Sequence, residues 1–483
     1  MSISAALLSG RPPAGATPIK LLALCDSPLA TTGFARVARN LLGRWASQPG
    51  VEIHCWAVNF EGWEYWHSPV RLFPGGLADW NSPRKLGQFL GLLQSGGYTH
   101  VWLLMDPDAL NVGKFASEFR RICQERKIRS LLYYPLDAPP ELDWLPMVSA
   151  VDVAVTYTEY GRAQTRQALC KSLYPVETIP HGVDEVFGPL PPAQREKFRS
   201  VELQVRNRQG QIEGVDFVKP GDFLILNVNK NEWRKDPLRS LEILAGLRQR
   251  RVPAKLIMRM DPMSAMGGVH LELAARQMGL TFGKEWCHVA EMPDQYLCGL
   301  YNAADLYLTT SLGEGWGLGV TEAIACHCPV ALPDHTSLTE IGNDLAPDPI
   351  WLPLEDGWVC GSDTRLRRRV DLAGAIEVLA GRVESKAWQL PDWRKPPRKI
   401  VTWDQVAAKM WILLSGLEMA VAPEFEPVER LASQSLDLCH AIEELPASEQ
   451  QTRVSIQASQ LHTALDQMAF GNVADRIATL EAK

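Results

Sequence analysis

The segment Thr309-Thr-Ser-Leu-Gly-Glu-Gly-Trp-Gly-Leu-Gly-Val-Thr-Glu322 combines two carboxylates with four glycines. Backbone N–H groups at glycine can approach a ligand closely. A helix opening near Gly317 or Leu318 would add unpaired donors and partial positive charge. Gly315, Gly317, Leu318 and Gly319 are therefore candidates for a phosphate-binding turn. The spacing departs from G-x-G-x-x-G, which speaks against a nicotinamide dinucleotide. Glu314 lies in the loop and Glu322 about one turn into the helix. An ionised carboxylate can accept from two vicinal hydroxyls, so two of them beside a phosphate site suit two sugar rings on either side of a pyrophosphate. Taken alone, the stretch also reads as a glycine-rich turn with a surface Glu and a Glu placed by the helix dipole.

Further segments carry charge or turn chemistry. Asn227-Val-Asn-Lys-Asn-Glu-Trp-Arg-Lys-Asp236 offers Lys230, Arg234 and Lys235, cations that could stabilise a departing diphosphate, or simply a solvated loop. Ile179-Pro-His-Gly-Val-Asp-Glu-Val-Phe187 is a turn at Gly182 with a cap at Asp184, and it presents His181. Asp26-Ser-Pro-Leu-Ala-Thr-Thr-Gly-Phe-Ala35 places Gly33 at a helix start, where its backbone could approach a ligand. Tyr133-Tyr-Pro-Leu-Asp-Ala-Pro-Pro140 ends a strand and offers Asp137. Asp106-Pro-Asp108 has the D-x-D form of a metal site, but Asp-Pro is also ordinary turn chemistry.

Apolar periodicity gives the elements that must hold these residues. Strands are expected at 19–25, 51–58, 101–105, 130–134, 151–156 and 176–179, with helical stretches such as 115–125 and 160–171 between most of them. The rhythm stops near 186 and restarts with strands at 223–228, 255–260, 286–290, 305–309 and 329–332. Helices are expected at 237–250, 270–279 and 317–326. Alternating strands and helices imply parallel sheets covered on both faces. Ligands bind beyond the carboxyl ends of such strands. The expected organisation is a loose arm (1–17), a first α/β domain (18–187), a linker with one charged helix (188–221), a second α/β domain (222–400), a crossing helix (401–420) and an acidic helical tail (421–483).

Composition narrows the class. The 483 residues suit two or three domains, and 46% apolar with 22% charged residues is ordinary for a globular chain. The net charge of −7 is carried mainly by the 421–483 tail, which holds −6. The near-neutral remainder makes no demand for a polyanion. The ten cysteines are scattered, with Cys326 and Cys328 the only close pair. That pattern reads as reduced thiols in a cytoplasmic protein rather than a zinc site. The N-terminal stretch lacks the basic start of a signal peptide. No run reaches the roughly 18 to 20 apolar residues of a membrane span.

The E-x7-E pattern of Glu314 and Glu322, with Ser311–Pro329 closing on Pro329-Val330, resembles the nucleotide-sugar segment of retaining GT-B glycosyltransferases. That family includes glycogen and sucrose synthases and many lipopolysaccharide and mannosyl transferases. The resemblance implies that Glu314 contacts the donor sugar and Glu322 the ribose. His327 departs from it, standing where the family usually has Gly. The segment around Lys230 matches the family's pyrophosphate-binding Arg and Lys, with Lys230 in place of the Arg and Arg234-Lys235 matching its R-K pair. The exchange keeps the charge but loses a bidentate contact. The segments at Asp26–Ala35 and Ile179–Phe187 resemble the family's first loop and its inter-domain segment, with His181 in the usual Asn or His position. Asp137 stands near where many relatives have His, and is a candidate on the acceptor side. Trp403–Leu414 resembles the helices that cross back onto the first domain. The resemblance runs from about Lys20 to Leu417 and leaves out the tail.

The resemblance implies two Rossmann-like, doubly wound parallel-sheet domains facing a cleft. The second would hold a nucleoside diphosphate sugar, such as a UDP- or GDP-sugar, and the first an acceptor. Transfer would retain configuration by front-side attack, with domain closure and with neither a required metal nor a prosthetic group. The acceptor, whether carbohydrate, lipid or nucleic-acid base, stays open, as does self-association through the tail. A base in DNA as acceptor, a sugar-nucleotide epimerase and a non-catalytic nucleotide-sugar-binding protein are the rival readings.

Overall fold

The computed structural model describes residues 18–62, 65–67, 69–140, 143–169, 176–203, 217–263, 268–289, 292–360, 365–384 and 400–416. The expected arm and acidic tail, with much of the expected linker, lie outside them. Contacts divide the chain into two units. Of the described residues, the first comprises those up to Pro135, those within Pro140–Gly182 and those from Trp403 onward; the second comprises Leu136–Pro139 and those within Val183–Thr402.

In chain order the first unit contains β1 (Ile19–Asp26), α1 (Gly33–Ala46), β2 (Val51–Val58), β3 (Tyr65–His67), β4 (Val70–Gly76), α2 (Pro83–Ser95), β5 (His100–Leu104), α3 (Phe115–Arg126), β6 (Arg129–Tyr134), α4 (Leu145–Val148), β7 (Val153–Thr156), α5 (Glu159–Ala168) and β8 (Val176–Thr178). Their sheet order is β3-β4-β2-β1-β5-β6-β7-β8. All neighbours pair in parallel except β3 with β4, an antiparallel edge that the expectation of a purely parallel sheet did not include. The apolar rhythm did not announce β4, because Arg71 and Pro74-Gly75-Gly76 interrupt it. β1 is buried on both faces, as a central strand under helices on both sides must be. α1 buries Ala35, Val37, Ala38, Leu41, Leu42 and Trp45 along one stripe. It starts where Thr32 Oγ1 accepts from the Ala35 N–H at 3.0 Å.

The second unit contains α6 (Pro192–Lys197), β9 (Phe223–Val228), α7 (Pro237–Gln249), β10 (Ala254–Arg259), α8 (Leu271–Gln277), β11 (Trp286–Val289), α9 (Asp294–Ala303), β12 (Leu306–Leu308), α10 (Leu318–Ala325), β13 (Val330–Pro333), α11 (Ser337–Leu345), β14 (Ile350–Leu352) and α12 (Leu372–Glu384). Its sheet runs β11-β10-β9-β12-β13-β14, all parallel. Part of the expected linker packs into this unit. Phe198 is buried, and its ring lies 5.0 Å from that of Tyr296. Arg199 donates to the carbonyls of Ala303 and Asp222, both at 2.6 Å.

The last described helix, α13 (Trp403–Ser415), belongs to the first unit. It buries Trp403, Val406, Ala407, Met410, Trp411 and Leu414. Trp45 meets Trp102 edge-on at 5.2 Å and Trp411 at 5.9 Å. Its indole N–H donates to the Ala407 carbonyl at 3.0 Å. Arg44 pairs with Asp404 at 2.6 Å.

Candidate functional site

In the second sheet β9 is the first strand of the unit, and the order turns back on itself between β9 and β12. Ligands of open α/β sheets collect at such a switch point, beyond the carboxyl ends of the strands. Both charged loops leave from those ends. The chain after β9 reaches a short 3-10 turn at Trp233–Lys235, and the chain after β12 runs through Ser311 and Glu314 into α10. The Leu312 N–H donates to the Arg234 carbonyl at 2.8 Å, which ties the two loops together.

An ion-pair network fills the junction. Lys235 Nζ donates to both oxygens of Glu314, at 2.6 and 2.7 Å. Ser311 Oγ donates to Glu314 Oε1 at 2.8 Å. Arg234 donates to the Gly313 carbonyl at 2.6 Å, and its guanidinium lies 3.7 Å from Glu314 and 3.0 Å from Asp137. Arg367 meets Asp137 from another side at 3.1 Å and lies over the Trp233 ring at 5.2 Å. Burial raises the Glu314 carboxyl, but Lys235 and Arg234 more than offset it and hold the group below its usual range. Asp137 follows the same logic: burial raises it, and Arg234, Arg367 and Arg365 bring it below normal. Lys235 moves down, first by burial and then by Arg234, with Glu314 opposing. At neutral pH the junction thus holds ionised carboxylates whose charge is balanced by cations. Such a carboxylate can take hydroxyl hydrogens without repelling a neighbouring diphosphate.

The glycines divide by role. Gly317 caps α10 with φ +104°, a conformation open to glycine. Gly319 answers to packing: a Cβ there would stand 2.7 Å from Tyr307 Oη and 3.0 Å from the Val228 carbonyl. Gly315 is buried in the loop, and Leu318 is half-buried at the first turn of α10. Glu322, on α10, is buried and accepts from Tyr301 Oη at 2.8 Å. His327 occupies φ +59° just beyond the helix, the backbone that explains why glycine is usual there.

Asp137 joins this network, and the remaining expected residues fall elsewhere. Asp137, expected with the first half and the acceptor, is grouped with the second unit through its arginines. The sequence could not show this, because the main chain around it is the end of a first-unit strand. Lys230 stands apart from the Glu314 network, largely exposed, with Glu232 at 3.9 Å. His181 and Gly33 lie in the first unit. Gly33 opens α1. His181 is buried against the rings of Tyr157, Tyr133 and Trp403, with Tyr133 Oη 2.7 Å from Nδ1. Burial lowers its pKa to about 3. The Asp106–Asp108 stretch leads into a 3-10 turn after β5. Among the described residues no group of three or more His, Cys, Asp or Glu is placed to hold a metal ion. No described helix is long and apolar enough to cross a membrane. Sequence reasoning missed Ser311, Tyr301 and Arg367. Only the last had a visible signal, the arginine-rich run Arg365-Leu-Arg-Arg-Arg369.

The fold and the junction define a class. Residues 212–347 match the family Glycosyl transferases group 1, and both units have the Rossmann-like build of the GT-B fold class. Among solved structures, sucrose-phosphate synthase from Thermosynechococcus elongatus aligns with a TM-score of 0.60 and 15% identity over 82% of this chain and 98% of its own. HepE of Anabaena, solved with UDP and glucose, gives 0.52 and 12% over 88% and 100%. A UDP-forming alpha,alpha-trehalose-phosphate synthase from Burkholderia xenovorans gives 0.54 and 13% over 76% and 91%. At these identities the likeness is one of fold. No curated relative matches the chain in sequence.

Proposed function

We propose that the protein is a glycosyltransferase that moves a hexosyl group from a nucleoside diphosphate sugar to an acceptor hydroxyl, with retention of configuration. The observation that carries this reading is the Lys235–Glu314 pair, set with Arg234 between β9 and α10 at the switch point of the second sheet. In this reading Glu314 receives hydroxyls of the donor sugar and Glu322 those of the ribose. Lys235, Arg234, Lys230 and the amides at Gly315, Gly317, Leu318 and Gly319 take the diphosphate. Lys235 is shared between Glu314 and the leaving group, so positive charge is already in place when negative charge develops. Protein cations and the start of α10 supply that charge, and no metal is called for. The UDP bound in the Anabaena structure and formed by the Burkholderia enzyme favours UDP as the donor's nucleotide. The free cysteines suit a reducing cytoplasm.

The test is turnover of a panel of UDP-, GDP- and ADP-sugars in EDTA, reading released nucleoside diphosphate beside thermal shift. One donor should stabilise the protein and be slowly hydrolysed. Lys235→Ala and Glu322→Ala should each weaken binding by about tenfold or more, since each removes a hydrogen bond involving a charge. An epimerised sugar nucleotide formed without an acceptor would instead mark an epimerase. A panel in which nothing binds or turns over would end the transferase reading.

A further inference from the structure

The loop after β13 carries a second polar group into the same junction. The Glu314 N–H donates to Thr336 Oγ1 at 3.2 Å. Ser337 Oγ donates to the carbonyls of Glu314, at 2.7 Å, and Trp316, at 3.1 Å. Residues 336 and 337 are thus stitched to the loop that presents Glu314. Thr336 keeps φ +53° and ψ −141°, a strained backbone for a β-branched residue. Strain of this kind persists only where the surroundings enforce it. The residue that precedes it is His335.

His335 Nδ1 lies 3.3 Å from Thr336 Oγ1. That oxygen already accepts from the Glu314 N–H, so its own hydrogen is free to go to Nδ1. This makes Nδ1 the acceptor and leaves the hydrogen on Nε2. Nε2 is buried and has no hydrogen-bond partner among the described residues. A buried donor without a partner is costly, and a bound oxygen would satisfy it. Burial, chiefly, lowers the imidazole to about 4, although Glu314 pulls the other way. The ring is therefore neutral in the physiological range. A neutral N–H beside an ionised carboxylate offers one donor and one acceptor. Sugar hydroxyls both give and accept, whereas phosphate oxygens only accept.

We infer that His335 is a specificity-determining residue for the donor, its Nε2–H donating to a hydroxyl of the sugar held against Glu314. The inference rests on the donor reading above. It would be tested by calorimetry on the full chain with UDP and UDP-glucose, and with GDP and GDP-mannose alongside. His335→Phe keeps a ring without the donor, and His335→Gln keeps an N–H at similar reach. His335→Phe should weaken the sugar nucleotide about tenfold and leave the bare nucleoside diphosphate unchanged. His335→Gln should stay within about threefold of the wild type for both. Equal weakening of both ligands, or of neither, overturns the inference. Should His335→Phe fail to fold, His335→Asn, too short to reach, is expected to give the same split. Lys235→Ala separates the two levels of the argument. If it weakens the nucleoside diphosphate while His335→Phe spares the sugar contact, only the role of His335 falls. If the wild type binds none of the four ligands, the donor reading falls and takes this inference with it.

Discussion

At the scale of single residues, burial decides what each charge can do. His181 titrates near 6.5 when unfolded and at about 3 in the folded protein. Protonation therefore favours the unfolded chain. The stabilisation is fully present above about 6.5 and is lost as pH falls through the window down to about 3. At pH 5 the loss amounts to about 2 kcal/mol. His181→Phe should flatten this slope, since Tyr133 Oη still donates to the Ile179 carbonyl at 2.9 Å. Denaturation midpoints at pH 7.5 and pH 5 check it, and equal losses in both proteins would contradict the burial assigned to this ring. The same scale shows how legible the site was. Glu314, Arg234 and Lys235 were visible because glycines and charges cluster in the sequence around them. The partners of Asp137 were not, because Arg367 is 230 residues away and nothing local to either residue marks the pair. His335 was equally hidden, since its surroundings are built by loops from two different strands.

At the scale of elements, α10 closes the site and shows where local rules bend. The Cys328 N–H donates to the Ala323 carbonyl at 2.9 Å and the His327 N–H to that of Ile324 at 3.0 Å, the paired bonds of a Schellman ending. Such an ending calls for a left-handed residue, and His327 supplies it at φ +59°. A side chain there costs about 1 kcal/mol or more, partly offset because glycine would loosen the unfolded chain. His327→Gly should therefore stabilise the protein by about 0.5–1 kcal/mol, read as a rise in the denaturation midpoint. No change or a fall would mean that the imidazole contributes contacts that outweigh the backbone. Strand and helix rhythm made most elements readable to within a residue or two. Among the strands, β3, β4 and β14 were not expected, β3 and β14 being too short for a period to register and β4 broken by Pro74 and two glycines.

At the scale of the whole molecule, the first unit is built from separated pieces of chain. α13 covers α1 and seals Trp45, which is fully buried. A chain ended at Thr402 should leave this face open. Limited proteolysis is then expected to cut within 18–182 while a fragment spanning the second unit persists. Equal resistance in the truncated and full-length proteins would mean that α13 is dispensable to the first unit. The same arrangement sets a schedule during synthesis. The chain leaves the first unit at Gly182 and returns to it at Trp403 only after the second has been made. At about 5–20 residues per second on the ribosome, that interval is on the order of tens of seconds. Through all of it the nascent first unit carries a bare tryptophan-lined face, a natural hold for chaperones until its last helix emerges.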